Sequence, residues 1–463
     1  MISSIGLHNF KAFADLELDL APITLFLGPN NCGKSSILAS LRLLAQTVDS
    51  YDPYVALLLS GSMGDFGTYK DIVYRNHRAR PMTLSVSVHA GSGGPGLWKP
   101  SASDTSDVLT IHLDYKYRTK RRELILRSAE VEVNGRRLLR TAYSARSERQ
   151  LVEQIGGAVV PPPIKSALSD GLRMQNFAPR LLTYRLRNRD SERSAVGEFL
   201  TKRVAQDAEL AGRAAMAIAY RLRDIEYIGA MRVPPSRTYK YTGERRRRVG
   251  PGGEEAAGML MMDSARGGKR SLKVLESMKQ WLSAAGIASD VKIVPLSDRH
   301  YEIRVEHPIT KEHQNLADVG QGVSQILPVL VAGLHLSEGS ALVVEEPEIH
   351  LHPRAQAALG DFFLTLFEKG VQSIIETHSE YLLLRLLQHV ASGAISPDDV
   401  SIYYVYARGE HKEAKRLRLN GEGQFVDEWP EGFFPERLEE AKELARIRYR
   451  KQVSEGTSHG DSD

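Results

Sequence analysis

The sequence lacks most of the features that mark a secreted or membrane-bound chain. Of its 463 residues only Cys32 is a cysteine, which excludes an intramolecular disulfide and any zinc site built from cysteines. No run of eighteen apolar residues occurs, so we expect no transmembrane helix. The first residues do not form a basic segment followed by an apolar one, so we expect no secretory leader. These absences predict a cytoplasmic protein without a membrane partner.

What is present is typical of a folded protein. The chain is 42% apolar, 25% charged and 7% aromatic, values near the globular average, which exclude wholesale disorder. At roughly 150 residues per domain, the length allows about three structural units. We find no internal repeat, and no heptad pattern lasts several turns, so we expect no long coiled-coil arm.

The positive charge is concentrated in the middle of the chain. Residues 115–150 hold 11 Lys/Arg against 4 Asp/Glu, and residues 173–248 hold 18 against 8, although the net charge is only +4. This basic middle predicts either contact with an anionic partner, such as the backbone of duplex DNA or an acidic protein, or solvated arginine-rich helix faces. The candidate contacts in its two strongest runs are Lys120, Arg121, Arg122, Arg245, Arg246, Arg247 and Arg248.

Hydrophobic periodicity predicts an α/β fold with an antiparallel region. The apolar run 23–28 predicts a buried strand, and the helical spacing of 35–46 predicts the helix after it. Alternating apolar residues between 80 and 145, with the turn signal Asn134-Gly135, predict antiparallel strands. A long helix is predicted over about 195–225.

One glycine-rich segment carries the strongest functional signal. Residues 28–35, GPNNCGKS, match the pattern G-x-x-x-x-G-K-[ST] between a predicted buried strand and a predicted helix. Glycines let such a loop wrap phosphates with its N–H groups, and the helix N-terminus adds partial positive charge. Lys34 is expected to reach the β- and γ-phosphates, and Ser35 to bind Mg²⁺. The predicted nucleotide-binding residues of this loop are Asn30, Gly33, Lys34, Ser35 and Ser36.

Two further apolar segments end in polar residues. Residues 340–344 lead into Glu345 and Glu346, which predicts a Walker B strand with Glu345 near Mg²⁺ and Glu346 polarising the attacking water. Residues 373–377 lead into His378, and a histidine after the strand that follows Walker B can sense the γ-phosphate. The alternative interpretation is a surface acidic pair and a structural histidine.

A second glycine-rich turn precedes the Walker B strand. Residues 318–325, DVGQGVSQ, open an apolar helical run and repeat the anion-binding pattern of the P-loop. Because one nucleotide does not need two such turns from one chain, we expect this turn to complete the partner's site in a homodimer or higher even oligomer. Gly320, Gly322 and Ser324 are all candidates for contacting the γ-phosphate. A plain helix N-cap is the alternative interpretation.

These four motifs in this order resemble the ABC-type ATPase heads of the RecF, SMC and OLD families. LHNFK at 7–11, EEPEIHLHP at 345–353 and ETHS at 376–379 are also similar to those proteins. The resemblance is specific over roughly 1–50 and 315–385. Weaker similarity in IEYIGAMRVPPSRTY and GFFPERLEEA fits a bacterial branch of free-standing AAA/ABC ATPases with an uncharacterised C-terminal domain.

The resemblance implies a P-loop ABC-type ATPase head with an antiparallel β lobe and a helical, basic inserted region. It implies ATP and Mg²⁺ as cofactors, two ATP molecules sandwiched in a head-to-head dimer, Glu346 as the general base and His378 as the switch histidine. It also implies that Glu348 and His350 lie in a D-loop between the two sites. Many members of the wider group act in DNA repair or anti-phage defence. We therefore expect a nucleotide-dependent clamp or switch with a separate effector protein, for which a nuclease is a candidate.

This architecture divides the chain into six predicted segments. They are the N-terminal half of the head at 1–80, the β lobe at 81–150, the basic helical insertion at 151–270, the C-terminal half of the head at 271–400, a C-terminal subdomain at 401–453 and a disordered tail at 454–463.

Several features depart from the family pattern. The signature is DVGQGVSQ rather than LSGGQ, and Glu345 stands where Asp is usual. We find no secure Q-loop glutamine, and residues 64–67 are the region where it is expected. Cys32 inside the P-loop predicts either sensitivity to thiol reagents or an inert small residue.

Three other functions are weighed against this one. A transporter ATPase subunit is disfavoured by the LHNFK start, the signature and the basic middle. A built-in OLD-type nuclease needs an acidic metal-binding domain, but only 85 residues follow His378. Glu348, His350 and His352 resemble a metal cluster, yet they fit a D-loop better. The remaining alternative is an ATP-binding scaffold for a partner protein, with little hydrolysis and no direct DNA binding.

Overall fold

The structure is a computed structural model of the chain. It describes residues 1–90, 107–183, 193–244, 246–266 and 273–427. Two large β-sheets and the helices packed on them form most of this part of the chain, so the fold is mixed α/β, as the periodicity predicts. Within these ranges, none of the helices combines the length and apolarity that crossing a membrane demands.

The first sheet is largely parallel and has the P-loop strand inside it. Its side chains alternate between two cores, because both faces of the sheet are covered: Leu25 and Leu27 lie in one core and Phe26 in the other. The last strand runs antiparallel to its neighbour, and the others are parallel. In spatial order the strands are Ile225–Ile228, Ala341–Glu345, Gln372–Glu376, Ile23–Leu27, Val400–Arg408 and His411–Leu417.

Six helices of the described ranges accompany this sheet. The P-loop helix packs into the core that contains Phe26, and the others pack into the core that contains Leu25. Two of the helices begin at side-chain caps, because the Ser379 hydroxyl accepts from the N–H of Leu382 and His352 accepts from the N–H of Arg354. Their bounds are Lys34–Val48, Ala256–Arg266, Val274–Ala284, Gln321–His335, Pro353–Glu368 and Glu380–Ala391.

The second sheet is antiparallel and has eight strands in the described part of the chain. Asn134 and Gly135 form the predicted hairpin turn, with φ of 51° and 73°, the positive values that such a two-residue turn requires. The long helix Lys202–Arg223 packs against this sheet through small buried residues such as Ala208 and Ala211. In spatial order the strands are Ala158–Val159, Arg149–Ile155, Arg136–Ser144, Glu123–Val133, Asp107–Arg118, Met82–Ala90, Ile2–Phe10 and Phe13–Asp19.

The strand pairing crosses the segment boundaries drawn from the sequence. The antiparallel lobe, predicted at 81–150, also takes in the first two strands, because their alternating apolar residues such as Leu7 are buried in the same core. The C-terminal subdomain, predicted at 401–453, supplies a strand that pairs with Ile23–Leu27 inside the head. The predicted tail at 454–463 and the part of the predicted C-terminal subdomain after residue 427 lie outside the described residues.

A third, smaller sheet and several short elements complete the described fold. Two strands of this sheet, Asp290–Pro295 and His300–Glu306, match segments whose sequence is strand-like, and Tyr239–Lys240 and His313–Asn315 join them. The remaining elements are strands Ser60–Gly61, Gly64–Asp65, Leu172–Gln175 and Ala178–Leu181, helices Tyr69–Ile72, Pro162–Ser169 and Arg193–Phe199, and 3₁₀ turns Tyr74–Asn76 and Pro397–Asp399.

Candidate nucleotide-binding site

The carboxyl ends of three neighbouring strands bring the predicted motifs to one edge of the parallel sheet. The P-loop follows Ile23–Leu27, Glu345 ends the Walker B strand, and Glu376 ends the strand between them. The strand register pairs Glu345 with Glu376, and Glu376 with Phe26. The P-loop, the Walker B end and the segment around His378 therefore meet at this edge.

The P-loop adopts a conformation that its glycines make possible. Gly28 and Gly33 have φ of 138° and 107°, values that glycine adopts without strain. A Cβ on Gly28 would lie 2.0 Å from the carbonyl oxygen of Val405, so no larger residue fits there. The Lys34 side chain is 3% exposed, and its ammonium donates to the carbonyl oxygens of Gly28 at 2.8 Å and Pro29 at 2.9 Å.

The other predicted P-loop residues differ in exposure. Asn30 and Ser35 are exposed, and Ser36 is half-buried. Cys32 is buried, its Sγ lies 2.8 Å from the carbonyl oxygen of Pro29, and burial raises the pKa of the thiol. Because reactivity needs the thiolate, this environment supports the inert interpretation of Cys32.

Glu376 is a site residue that the sequence reasoning missed. Its Oε1 accepts a hydrogen bond from the Ser35 hydroxyl at 3.0 Å and lies 4.0 Å from the Lys34 ammonium. Burial raises the pKa of Glu376 to about 7, and the nearby charge of Glu345 adds to the rise. Its Oε2 is buried and has no hydrogen-bond partner in the described part of the chain. The available signal was a carboxylate ending the strand beside Walker B, whereas the prediction used only His378.

Glu345, the predicted Mg²⁺ ligand, is in contact with residues outside the four motifs. The Arg42 guanidinium, from the P-loop helix, lies 3.3 Å from its carboxylate. Tyr227 also hydrogen-bonds Glu345, and burial raises the pKa of this carboxyl. The same guanidinium lies 3.8 Å from the Tyr227 ring centre and 5.0 Å from that of Phe66, in the region expected to hold the Q-loop. Arg42 and Tyr227 were missed because their roles depend on tertiary contacts.

Glu346, the predicted base, follows at a turn of left-handed backbone. Its φ is 44°, a conformation that non-glycine residues adopt only when their surroundings hold them there. Its N–H donates to the Glu376 carbonyl at 2.7 Å, and its carbonyl accepts from the Arg232 guanidinium at 3.1 Å. The Glu346 side chain therefore projects from a peptide that is bonded on both sides.

His378 and Glu348 are linked through the main chain. His378 is exposed, and burial of part of the ring and the charge of Lys34 lower the pKa of its imidazole, which favours the neutral form at pH 7. Its N–H donates to Glu348 Oε1 at 2.6 Å. Glu348 is itself buried, which raises the pKa of its carboxyl, and it lies beneath the histidine instead of on the surface.

The two histidines after Glu348 have different surroundings. His350 is exposed with a φ of 61°, whereas His352 caps the helix Pro353–Glu368. Within the described ranges, these two histidines and Glu348 do not bring their ligand atoms within 4.8 Å of one another. The geometry therefore does not support a metal cluster of these three residues, and their place in a D-loop stays a prediction.

The signature turn packs on the predicted D-loop. Gly320 is the exposed N-cap of Gln321–His335, and a Cβ on Gly322 would lie 2.9 Å from the carbonyl oxygen of His350. Ser324 is buried and its hydroxyl donates to the Gln321 carbonyl at 3.0 Å. Of the three candidates for a γ-phosphate contact, Gly320 is the most exposed.

The basic runs are largely engaged within the chain. Arg246 pairs with Glu244 and Glu255, Arg247 with Asp224 and Arg248 with Asp49, at 2.8 to 3.3 Å, and Arg121 pairs with Glu148. Lys120 and Arg122 are exposed at the end of a hairpin. Arg245 lies outside the described residues.

Comparison with known proteins gives two family matches. The model of a family described as "AAA domain, putative AbiEii toxin, Type IV TA system" matches residues 23–385. A second, described as "Protein of unknown function (DUF3696)", matches residues 395–444. The curated proteins contain no match to this chain.

Solved structures of SMC heads are also similar. One is an SMC head domain from Thermotoga maritima, 11% identical, with 90% of this chain and 99% of that chain covered and a TM-score of 0.40. Another is an SMC head bound to the C-winged helix domain of ScpA. It is 12% identical, the match covers 90% of this chain and 98% of that chain, and the TM-score is 0.44. A third is an Smc head with an extended coiled coil bound to the C-terminal domain of ScpA, derived from Pyrococcus furiosus. It is 12% identical, the match covers 96% of this chain and 99% of that chain, and the TM-score is 0.43.

Proposed function

The chain belongs to this AAA-domain family, whose model spans more than half of it, and on that premise we propose that it binds ATP with Mg²⁺ and hydrolyses the γ-phosphate. One observation carries the proposal. The Lys34 ammonium, the Ser35 hydroxyl and the carboxylates of Glu345, Glu346 and Glu376 gather at one edge of the parallel sheet. Ligands in such sheets bind beyond the carboxyl ends of the strands.

The donor set fits a nucleotide with its metal ion. Mg²⁺ prefers oxygen ligands and is usually held by one or two carboxylates together with phosphate oxygens. Ser35 and Glu345 are the proposed ligands, and the buried, unpartnered Oε2 of Glu376 is a further carboxylate oxygen beside them. When bound, Mg²⁺ neutralises charge that develops on the phosphates.

Each residue then has a defined part in the reaction. The P-loop N–H groups and Lys34 hold the phosphates, which requires the ammonium to exchange its present carbonyl partners for phosphate oxygens. Glu346 orients the attacking water and takes its proton. Neutral His378 donates a hydrogen bond toward the γ-phosphate, which couples its position to the presence of that phosphate.

A homodimer with two sandwiched nucleotides is part of the proposal. Support comes from Gly320, which is exposed at the start of a helix, and from Gly322, which packs on the D-loop at His350. An exposed, donor-rich helix start suits a phosphate brought by a second copy. ATP binding would then close the dimer and hydrolysis would open it, a rigid-body switch.

The biological role is proposed on the family description and the sequence resemblance. The family is described as including a putative toxin of a toxin–antitoxin system, and the motifs resemble RecF, SMC and OLD ATPases. We propose that the switch acts in a DNA-associated or anti-phage defence process with a separate effector protein. The engagement of Arg246, Arg247 and Arg248 by acidic residues weakens the case for DNA contact through that run.

Light scattering of the Glu346→Gln protein tests the dimer. With ATP and Mg²⁺, the mass should double, because the variant binds nucleotide and does not consume it. The matched control is the same protein with Lys34→Ala added, which should stay at one chain. An unchanged mass in the first protein would refute the sandwich, and a constant higher mass would mean an oligomer assembled without ATP.

One contact favours a second function, an ATP-binding scaffold with little hydrolysis. The Arg42 guanidinium lies 3.3 Å from Glu345, so the proposed Mg²⁺ ligand already has a cation beside it. A persistent pair would weaken the metal site and slow turnover. A parental rate no higher than that of Glu346→Gln, with ATP still bound, would favour the scaffold.

A further inference from the structure

Arg232 is a buried cation between two of the motifs described above. It follows the strand Ile225–Ile228 and is 8% exposed. Its Nη2 donates to the carbonyl oxygens of Glu345 at 2.8 Å and Glu346 at 3.1 Å, and its Nη1 donates to that of Gln325 at 3.3 Å. One guanidinium therefore bonds both the Walker B turn and the signature helix.

The bonds of Arg232 go to backbone, not to a carboxylate. Burial lowers the pKa of its guanidinium to about 10, while the carboxylates of Glu348, Glu346 and Glu345 oppose the fall, so the side chain stays charged at neutral pH. Its Nε is buried without a hydrogen-bond partner among the described residues. Burying such a cation has an unfavourable desolvation free energy. Its hydrogen bonds hold the positions of the three carbonyl groups.

The Walker B carbonyls are at the point where backbone position matters for chemistry. The Glu346 peptide has a φ of 44° and is bonded to Glu376 through its N–H and to Arg232 through its carbonyl. Removal of the Arg232 bonds would leave one side of this turn unheld. The carboxylate of Glu346 would then lose part of its orientation.

The third bond of Arg232 reaches the helix that carries the signature turn. Gln325 lies in the helix Gln321–His335, one turn after the exposed Gly320. A shift of this helix would move the Gln325 carbonyl and alter the geometry at Glu346. Both motifs thus share a single, fully charged anchor.

We propose that Arg232 is a positioning residue that couples the signature helix of a protomer to the Walker B turn of the same protomer. The proposal rests on the proposed function, because in the sandwich the signature turn meets the partner's nucleotide whereas the Walker B turn acts on the protomer's own. Arg232 then links the two nucleotide sites of the dimer.

The first test separates positioning from binding. Arg232→Gln should lower kcat about 10–10²-fold, the cost of a misplaced catalytic group, and leave ATP affinity within about threefold. Arg232→Lys, which keeps the charge and can reach some of the carbonyls, should recover part of the rate. Thermal denaturation of each variant, with and without ATP, establishes that it is folded and binds nucleotide.

The matched control is Arg221→Gln. Arg221 also donates to a backbone carbonyl, that of Gly339 at 2.8 Å, but at the opposite end of the Walker B strand. It should keep the parental kcat and ATP affinity. Equal losses of kcat at Arg221 and Arg232 would reduce Arg232 to a structural support and overturn the proposal.

The second test uses mixed dimers with two affinity tags. One protomer carries Lys34→Ala, which disables its own P-loop. The one site that still works combines the intact P-loop of the other protomer with the signature turn of the Lys34→Ala protomer. Arg232→Gln is then placed in either protomer. Coupling predicts a slower rate in both arrangements. Loss only when Arg232→Gln lies beside the intact P-loop, or loss in neither arrangement, would overturn the coupling.

Failure of the proposed function would look different. A Glu346→Gln protein that stays at the mass of one chain with ATP refutes the sandwich and the coupling together. If Glu346→Gln doubles in mass and the parent hydrolyses ATP, while Arg232→Gln is as active as the parent, the coupling alone is refuted.

Discussion

The two edges of the parallel sheet are both densely charged, but they satisfy their charges in different ways. At the amino edge, Arg248 lies 2.8 Å from Asp49 and Arg247 lies 2.9 Å from Asp224. Glu226, buried in the first strand of that sheet, accepts a hydrogen bond from a backbone N–H at 3.1 Å. Positive and negative groups here neutralise one another within the chain.

At the carboxyl edge, some charged groups have one atom without a hydrogen-bond partner. Among the described residues, the charged side chains with a buried N or O atom that makes no hydrogen bond are Arg232, Glu348 and Glu376. All three adjoin the P-loop, the Walker B turn or His378. Since buried polar atoms are nearly always satisfied, such exceptions mark a place that awaits a ligand or performs a function. Unsatisfied atoms of charged groups, more than charge density, therefore distinguish the carboxyl edge, where the candidate site lies, from the amino edge.

The largest effect that would sharpen this contrast is expected from Glu346→Gln at the carboxyl edge. Turnover should fall about 10²–10⁴-fold, because a positioned base contributes that much, while ATP affinity changes little. Phosphate release and nucleotide titration measure the two quantities. Glu338→Gln, at an exposed position just before the Walker B strand, is the control and should behave as the parent. A parental rate in Glu346→Gln would mean that the base lies elsewhere.

At the amino edge, we expect a measurable effect of pH on the free energy of unfolding. Burial raises the pKa of Glu226 to about 7, so between about pH 4.5 and 7 the folded state holds this proton while the unfolded state releases it. The free energy of unfolding should therefore fall as pH rises through this range, by about 3 kcal/mol for this group.

The Glu226→Gln variant isolates the contribution of Glu226 to the pH dependence of the free energy of unfolding. Urea unfolding at several pH values should give a flatter dependence than the parent, with the difference confined to the range below pH 7. An identical slope in parent and variant would mean that Glu226 is not the group that titrates.

Lys34→Ala should weaken nucleotide binding instead of turnover. A charge-assisted hydrogen bond is worth about 1.5–3 kcal/mol, which corresponds to about 10–10²-fold in the ATP dissociation constant. Fluorescent ATP titration measures it, and Lys70→Ala, at an exposed position, is the control. Unchanged affinity would contradict the assignment of the P-loop.

Arg248→Gln tests whether the amino edge is structural. Its side chain is 15% exposed, pairs with Asp49 and donates to the Arg223 carbonyl at 2.7 Å. Removal of the guanidinium should lower the free energy of unfolding by about 1–3 kcal/mol, because Asp49 and the Arg223 carbonyl lose their partner. kcat at a temperature where the variant is folded should match the parent. A loss of kcat without a loss of stability would place function at this edge.

Sequence reasoning worked best where local pattern determines structure. The buried strand at 23–27, the P-loop and the helix from Lys34 follow from residues adjacent in the chain, as does the hairpin at Asn134-Gly135. The α/β fold with its antiparallel region followed from the same patterns, whereas the ATPase head was implied by the family resemblance. The sequence does not assign the strand at 400–408 to the head, because its partner strand Ile23–Leu27 comes 377 residues earlier in the chain.

The part that sequence reasoning missed depends on tertiary contact. Arg42, Tyr227 and Glu376 join the site through pairing with Glu345 or Ser35, and no local spacing encodes those contacts. Arg232 lies in a segment whose sequence shows only weak similarity to the family. Charge counting has the same limit, because it cannot show which arginines find an acidic partner.

The smallest expected effect concerns those arginines. Arg246→Ser with Arg247→Ser should leave duplex DNA binding and its salt dependence unchanged, because both side chains are paired with acidic residues of this chain. If DNA binds at the hairpin end, Lys120→Ser with Arg122→Ser should reduce the slope of log affinity against log salt by about 2, one unit for each lost phosphate contact. Fluorescence anisotropy from low to high salt measures both. If only Arg246→Ser with Arg247→Ser lost DNA binding, the amino edge would be an anion-binding surface. The contrast between the two edges would then not hold.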